Sequence, residues 1–247
     1  VTVRGTTVPD AYLGVWKRTL LRTPTFEDTT STVYWLQTPR WHADIRIPAD
    51  RPGCTGKRTL GELTRGELLG LARQQGFAGI TTVAGQICRW HRRVDFQPPA
   101  AHADVGRMTF ETPDRILEYG AEQDYFEIWE RVPDSVGVTA ALEGNQLPGP
   151  LWLLRSGGFA MRIRPRLAAL PRAGSLLALA ADADEATLRT WLDFELSFAR
   201  IGPDGTYRIE HSTLPWLEGG RIEEVEALLV AGDGGLVQSA RHWQRLE

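Results

Sequence analysis

Eight short segments between Ala11 and Val132 carry strand-like patterning, one directly after another. That succession constrains the fold more than any other feature of the chain. Strands that follow one another in sequence pair as an antiparallel meander, and a meander of this length closes into an up-and-down barrel, because closure removes the exposed edges of an open sheet. The segments are Ala11 to Arg22, Thr32 to Thr38, Trp41 to Pro48, Ala78 to Ala84, Gln86 to Asp95, Val105 to Glu111, Arg115 to Tyr119 and Asp124 to Val132. In the first, Trp16, Arg18 and Leu20 fall on one face by simple alternation. In the third, Ala43, Ile45 and Ile47 alternate with Asp44 and Arg46, the pattern of a half-buried antiparallel strand.

One helix interrupts the strands. Thr64-x-x-Glu67 is a capping box, Leu63 and Leu68 occupy the staple positions on either side, and Gly76 is placed to end the helix. From Pro133 the scheme restarts in weaker form, with strands at Val136 to Glu143, Pro150 to Arg155 and Phe159 to Arg164, then a shorter helix near Asp184. Leu192 to Ile201, Thr206 to Ser212, Arg221 to Val225, Ala227 to Ala231 and Leu236 to Arg245 complete it. Trp35-Leu36, Ala43 and Phe77 are answered 117 residues later by Trp152-Leu153, Ala160 and Phe194, while Trp129 and Arg131 are answered 114 residues later by Trp243 and Arg245. The expectation is an all-β chain of two tandem up-and-down barrels, residues 1–133 and a more divergent 134–247, with one short helix per barrel. A chain of 247 residues can bury two cores of that size.

The formal charge is −3 and basic residues form no long run, so the chain offers no electrostatic footprint for nucleic acid or an anionic membrane. The longest apolar stretch, Leu176 to Ala181, is far short of a bilayer span, and no signal-peptide pattern opens the sequence; a soluble, cytoplasmic protein is expected. Cys54 and Cys88 are too few for a disulfide framework or a zinc site and are read as free thiols.

Several residues also resemble a family signature. Gly14-Val15-Trp16 on the first strand resembles the Gly-x-Trp of lipocalins, Gln123-Asp124-Tyr125 resembles their Thr-Asp-Tyr element with one substitution, and Arg131 resembles the arginine that packs across the first-strand tryptophan. On these motifs the chain is similar to the calycin superfamily of lipocalin-like barrels, in a duplicated, bacterial-type form. The resemblance implies a cavity for a small ligand in the first half. The second half has no Gly-x-Trp.

If they face inward, Trp35, Gln37, Asp44, Arg46, Trp90 and His91, with Asp95, Glu127, Trp129 and Arg131, would line a polar, aromatic pocket for a small polar or anionic ligand. Facing outward, they would be ordinary solvated strand positions, and each Trp-x-Arg pair a structural plug. No cofactor is expected, and no catalytic residue is assigned. An alternative is an isomerase, hydratase or hydrolase using His91 with Asp95 or Glu127, although no Ser or Cys sits in a nucleophile elbow. His91 could also serve as an axial haem ligand. His42-x-Asp44 supplies two potential metal ligands but no third, so no metal is expected. A third possibility is a protein interaction module that docks a partner at the seam between barrels or on an open edge of the weaker second barrel. The oligomeric state and the ligand's identity are left open by the sequence.

Overall fold

A computed structural model describes residues 7–99, 101–146, 149–223 and 243–247. The first half contributes β1 (Gly14–Arg22), β2 (Glu27–Asp28), β3 (Thr32–Gln37), β4 (Trp41–Ile47), α1 (Arg65–Leu71), β5 (Gln75–Ala84), β6 (Ile87–Asp95), β7 (Asp104–Thr112), β8 (Arg115–Gly120) and β9 (Phe126–Arg131). Apart from β2, which folds back on the end of β1, sequence neighbours are sheet neighbours. Every pairing is antiparallel, and β9 returns to β1 to close an eight-stranded barrel.

The closure is pinned where the sequence places it. Trp16 on β1 lies opposite Arg131 on β9, and the guanidinium carbon sits 4.1 Å from the centre of the indole. The Trp16 indole N–H donates to the carbonyl of Tyr12 at 2.8 Å, so the short 3-10 turn Asp10–Tyr12 is strapped across this end of the barrel. Two β-bulges change which residues face inward. Arg18 pairs with Trp129 and Leu20 with Ile128, so Thr19 is an extra residue, and Leu21 rather than Leu20 follows Trp16 and Arg18 into the interior. On β6, Gly79 faces Arg92 and Ala78 faces Val94, which makes Arg93 the extra residue. Gly79 permits this: a Cβ there would lie 2.0 Å from the His91 carbonyl oxygen.

The helix begins as its capping box dictates, with Thr64 and Glu67 satisfying each other's backbone N–H groups. It ends at Leu71, not at Gly76. That glycine is the second residue of β5, packed so closely on β4 that a Cβ would come within 2.9 Å of the Asp44 carbonyl oxygen. Strand β5 therefore starts at Gln75, before the expected Ala78.

The second half contains β10 (Thr139–Gln146), β11 (Gly149–Ser156), β12 (Phe159–Arg164), α2 (Leu176–Asp182), α3 (Glu185–Leu192), β13 (Glu195–Ile201), β14 (Tyr207–Ser212) and β15 (Trp243–Arg245). Two helices stand where one was expected, because the apolar run from Leu176 is itself helical, capped by Ser175, ahead of the helix capped by Asp184. Among the described residues the second sheet has the order β14-β13-β12-β11-β10-β15 and is open. The expected strand Ala227 to Ala231, and all of 224–242, lie outside the described residues. Strand β15 pairs back on β10 much as β9 pairs back on β1. The 117-residue matches do not preserve faces, however. Trp35 points into the barrel core whereas Trp152 joins the core between the two sheets, and Leu36 and Leu153 are reversed in the opposite sense.

The apolar face of β4 has a different destination from that of an isolated barrel. Leu36, Ala43 and Ile45, on the outside of the barrel, share one core with Trp152, Leu154, Met161 and Phe198 from the second sheet. Tyr34 stacks on Phe198 with ring centres 4.4 Å apart, and Trp41 meets Trp152 edge-on at 5.3 Å. The outer wall of β3 to β5 is thus hydrophobic, which leaves the inner wall free to be polar. Among the described residues no helix is long and apolar enough to cross a membrane.

Candidate functional site

The barrel interior is filled at the end closed by Trp16 and Arg131 and open toward the other. Trp35 lies between its neighbours, 5.5 Å from Trp90 and 5.8 Å from Trp129 in edge-on contacts, and 6.3 Å from Trp16. These rings form a floor. Above it lies a cavity of about 290 Å³ bounded by Trp35, Trp90, Trp129 and Phe77, by charged side chains from five strands, β4 and β6 to β9, and by Asp124. This is close to the lower limit of ordinary small-molecule sites.

Each charged group is held by a specific partner. Arg46 makes a two-pronged contact with Asp44, Nε to Oδ1 at 2.7 Å and Nη2 to Oδ2 at 3.2 Å, and its Nη1 lies 3.8 Å from Glu127. Burial opposes the Arg46 charge, but Asp44 and Glu127 outweigh it and hold the guanidinium's pKa well above its ordinary value. Glu127 in turn accepts from Arg18 at 2.7 Å, and Arg18 also donates to Asp28 at 3.0 Å. Arg92 spans Asp95 at 2.7 Å and Asp104 at 2.6 Å, and its guanidinium carbon is 3.6 Å from the centre of the Phe77 ring.

Glu118 is held differently: among the described residues no cation pairs with it. Its Oε1 accepts from the Tyr125 hydroxyl at 2.7 Å and its Oε2 from the Trp129 indole N–H at 2.9 Å. Burial, reinforced by the nearby Glu127 charge, raises its pKa well above the ordinary carboxyl range. Gly106 on the facing strand makes the space: a Cβ there would come within 2.6 Å of Glu118 Oε1.

Six of the sequence-derived candidates line this cavity: Trp35, Asp44, Arg46, Trp90, Glu127 and Trp129. Four do not. Gln37 is fully buried beneath, where its Oε1 accepts from Trp35 at 3.2 Å and Thr81 at 2.7 Å and its amide donates to the carbonyls of Thr38 and Trp41. Arg131 belongs to the closed end, donating to the carbonyls of Ala11, Leu13 and Pro113 and to Asp114. His91 lies on the outer face of β6, opposite Trp90, with Nε2 2.9 Å from the Thr82 hydroxyl; burial, then Arg89, lowers its pKa. Asp95 sits behind Arg92, and burial raises its pKa. The Arg93 bulge separates His91 from Asp95: simple alternation puts both on one face, and the inserted residue moves Asp95 to the other. The proposed pairing of His91 with Asp95 or Glu127 is therefore not formed.

Sequence reasoning did not select Phe77, Asp104 or Glu118, all of which line the cavity. A signal existed for Glu118, which shares the inward face of its strand with Ile116. An acid on an otherwise apolar strand face reads as an outward position unless the barrel interior is known to be polar.

The chain matches no family model and no curated protein. It is similar in fold to a solved structure of an uncharacterised protein from Saccharomyces cerevisiae, at 13% identity and a TM-score of 0.51, over 95% of this chain and 98% of that one. The agreement extends over both halves and bears on fold alone.

Proposed function

We propose that the protein binds a small molecule inside the barrel of its first half. The observation that carries the reading is the roughly 290 Å³ cavity, with aromatic faces below and fixed charges around it, in a barrel whose closed end is otherwise packed solid. The Gly-x-Trp start, the Trp16–Arg131 stack and the Asp124-Tyr125 element at the mouth add support for a lipocalin-like use of the barrel. The second half, in this reading, is a divergent relative of the same unit that has given up ligand binding for packing. Its strand order and the return of β15 to β10 support that descent.

A thermal-shift screen of metabolites and fatty acids tests the reading. Trp35→Ala and Arg46→Ala should each abolish the stabilisation given by any compound that raises the melting temperature of the parent protein. Binding that survives both substitutions unchanged would place the ligand elsewhere.

A further inference from the structure

The charge inventory of the cavity points to the class of ligand, an inference that rests on the binding reading above. Two ion-pair clusters border the cavity, Arg18 and Arg46 with Asp28, Asp44 and Glu127, and Arg92 with Asp95 and Asp104; together they hold three guanidiniums and five carboxylates. Two negative charges are thus left over before Glu118 is considered, and Asp124 at the cavity wall adds another. Each guanidinium already has a carboxylate within 3.0 Å, so an arriving anion would compete with ligands in place and meet net repulsion. A cation meets net attraction, strengthened by the reduced dielectric of a partly enclosed site.

The aromatic floor favours the same sign of charge. The rings of Trp35, Trp90 and Trp129 bound a space of the size in which an ammonium group comes within about 6 Å of an indole centre, the range of cation–π attraction. An independent polar signal comes from Trp90. This side chain is only 7% exposed and lines the cavity, yet its indole N–H has no hydrogen-bond partner among the described residues, unlike those of Trp16, Trp35 and Trp129. The Trp90 Nε1 is not among the fully buried atoms, so the donor is accessible and open to an oxygen acceptor on a ligand.

We infer that the cavity takes an organic ammonium compound carrying an oxygen acceptor, with its positive group among the surplus carboxylates and its oxygen on the Trp90 indole N–H. This reverses the anionic preference expected from the arginines alone, because each arginine is already neutralised.

Three compounds with the same phenoxy body separate the possibilities: phenoxyethylammonium, phenoxyethanol and phenoxyacetate, each titrated into the full-length protein and followed by tryptophan fluorescence and calorimetry. The ammonium compound should bind tighter than either of the others by about tenfold or more. Trp90→Phe, which keeps a ring and removes the donor, and Asp124→Asn, at an exposed position that leaves the melting temperature unchanged, should each weaken it. Preference for phenoxyacetate, or equal binding of all three with loss on Trp35→Ala, overturns the cation assignment and leaves the pocket standing. Failure of all three to bind, while a compound from the metabolite screen binds and is lost on Trp35→Ala, overturns the assignment in the same way. Failure of both the three compounds and the screen overturns the pocket as well.

Discussion

At the scale of single residues, Glu118 and Arg131 show how one barrel uses opposite electrostatic strategies at its two ends. Arg131 is stacked on Trp16 and donates to three carbonyls and a carboxylate, so Arg131→Ala leaves acceptors unmatched and should cost about 2–3 kcal/mol in urea unfolding. Arg131→Lys should recover little, because an ammonium cannot present the planar fork. Glu118 gives a pH signature. Its pKa in the fold lies above the 4.5 of an unperturbed glutamate, so between those two values the folded state holds a proton that the unfolded state has lost. The stabilisation is fully present below 4.5 and is lost as pH rises through the folded-state value. Glu118→Gln should therefore flatten the fall in melting temperature with rising pH above that point, and a parallel fall in parent and variant would show that Glu118 is charged in the fold. Much of this was legible: the Trp16–Arg131 closure and six pocket residues follow from motif and alternation. The faces of Asp95 and Leu21 were not, because Arg93 and Thr19 are bulge residues and a bulge inverts alternation beyond it without leaving a residue-type signature.

At the scale of elements, strands and the first helix could be read from local chemistry, while their ends were set by packing. Thr64 and Glu67 announce α1, and Thr64→Ala should destabilise the protein by about 1 kcal/mol in the same unfolding assay. Gly76 looks like a helix terminator in sequence, yet the close approach of β5 to β4 is what requires a glycine there. Helix α2 was missed because Leu176 to Ala181 has no polar period, although Ser175 stands as its cap. Its C-terminal carbonyls have an external partner: the Arg65 guanidinium donates to the carbonyl oxygens of Ala180, Ala181 and Ala183 at 2.8–3.0 Å, joining the helices of the two halves. No sequence pattern shows such a contact across 115 residues or more.

At the scale of the whole molecule, the halves share a core although sequence boundaries divide them near Pro133. Removing the second half would strip cover from Leu36, Ala43 and Ile45 and from α1. Unfolding of the full chain should accordingly be a single transition by both fluorescence and circular dichroism, and a fragment ending at residue 133 should aggregate or bind a hydrophobic dye. A fragment that stays monomeric and folded would show that the shared core is dispensable. The strand succession of the first half was legible in the sequence; the 117-residue matches were misleading because they join positions on opposite faces, which only the pairing of strands reveals. The proposed function requires that the barrel of the first half hold a ligand. A crystal structure of the full-length protein with the tightest-binding compound from the metabolite screen tests it most directly: the compound should lie on the floor made by Trp35, Trp90 and Trp129, whereas a compound seated elsewhere, with only water in the barrel, would contradict it.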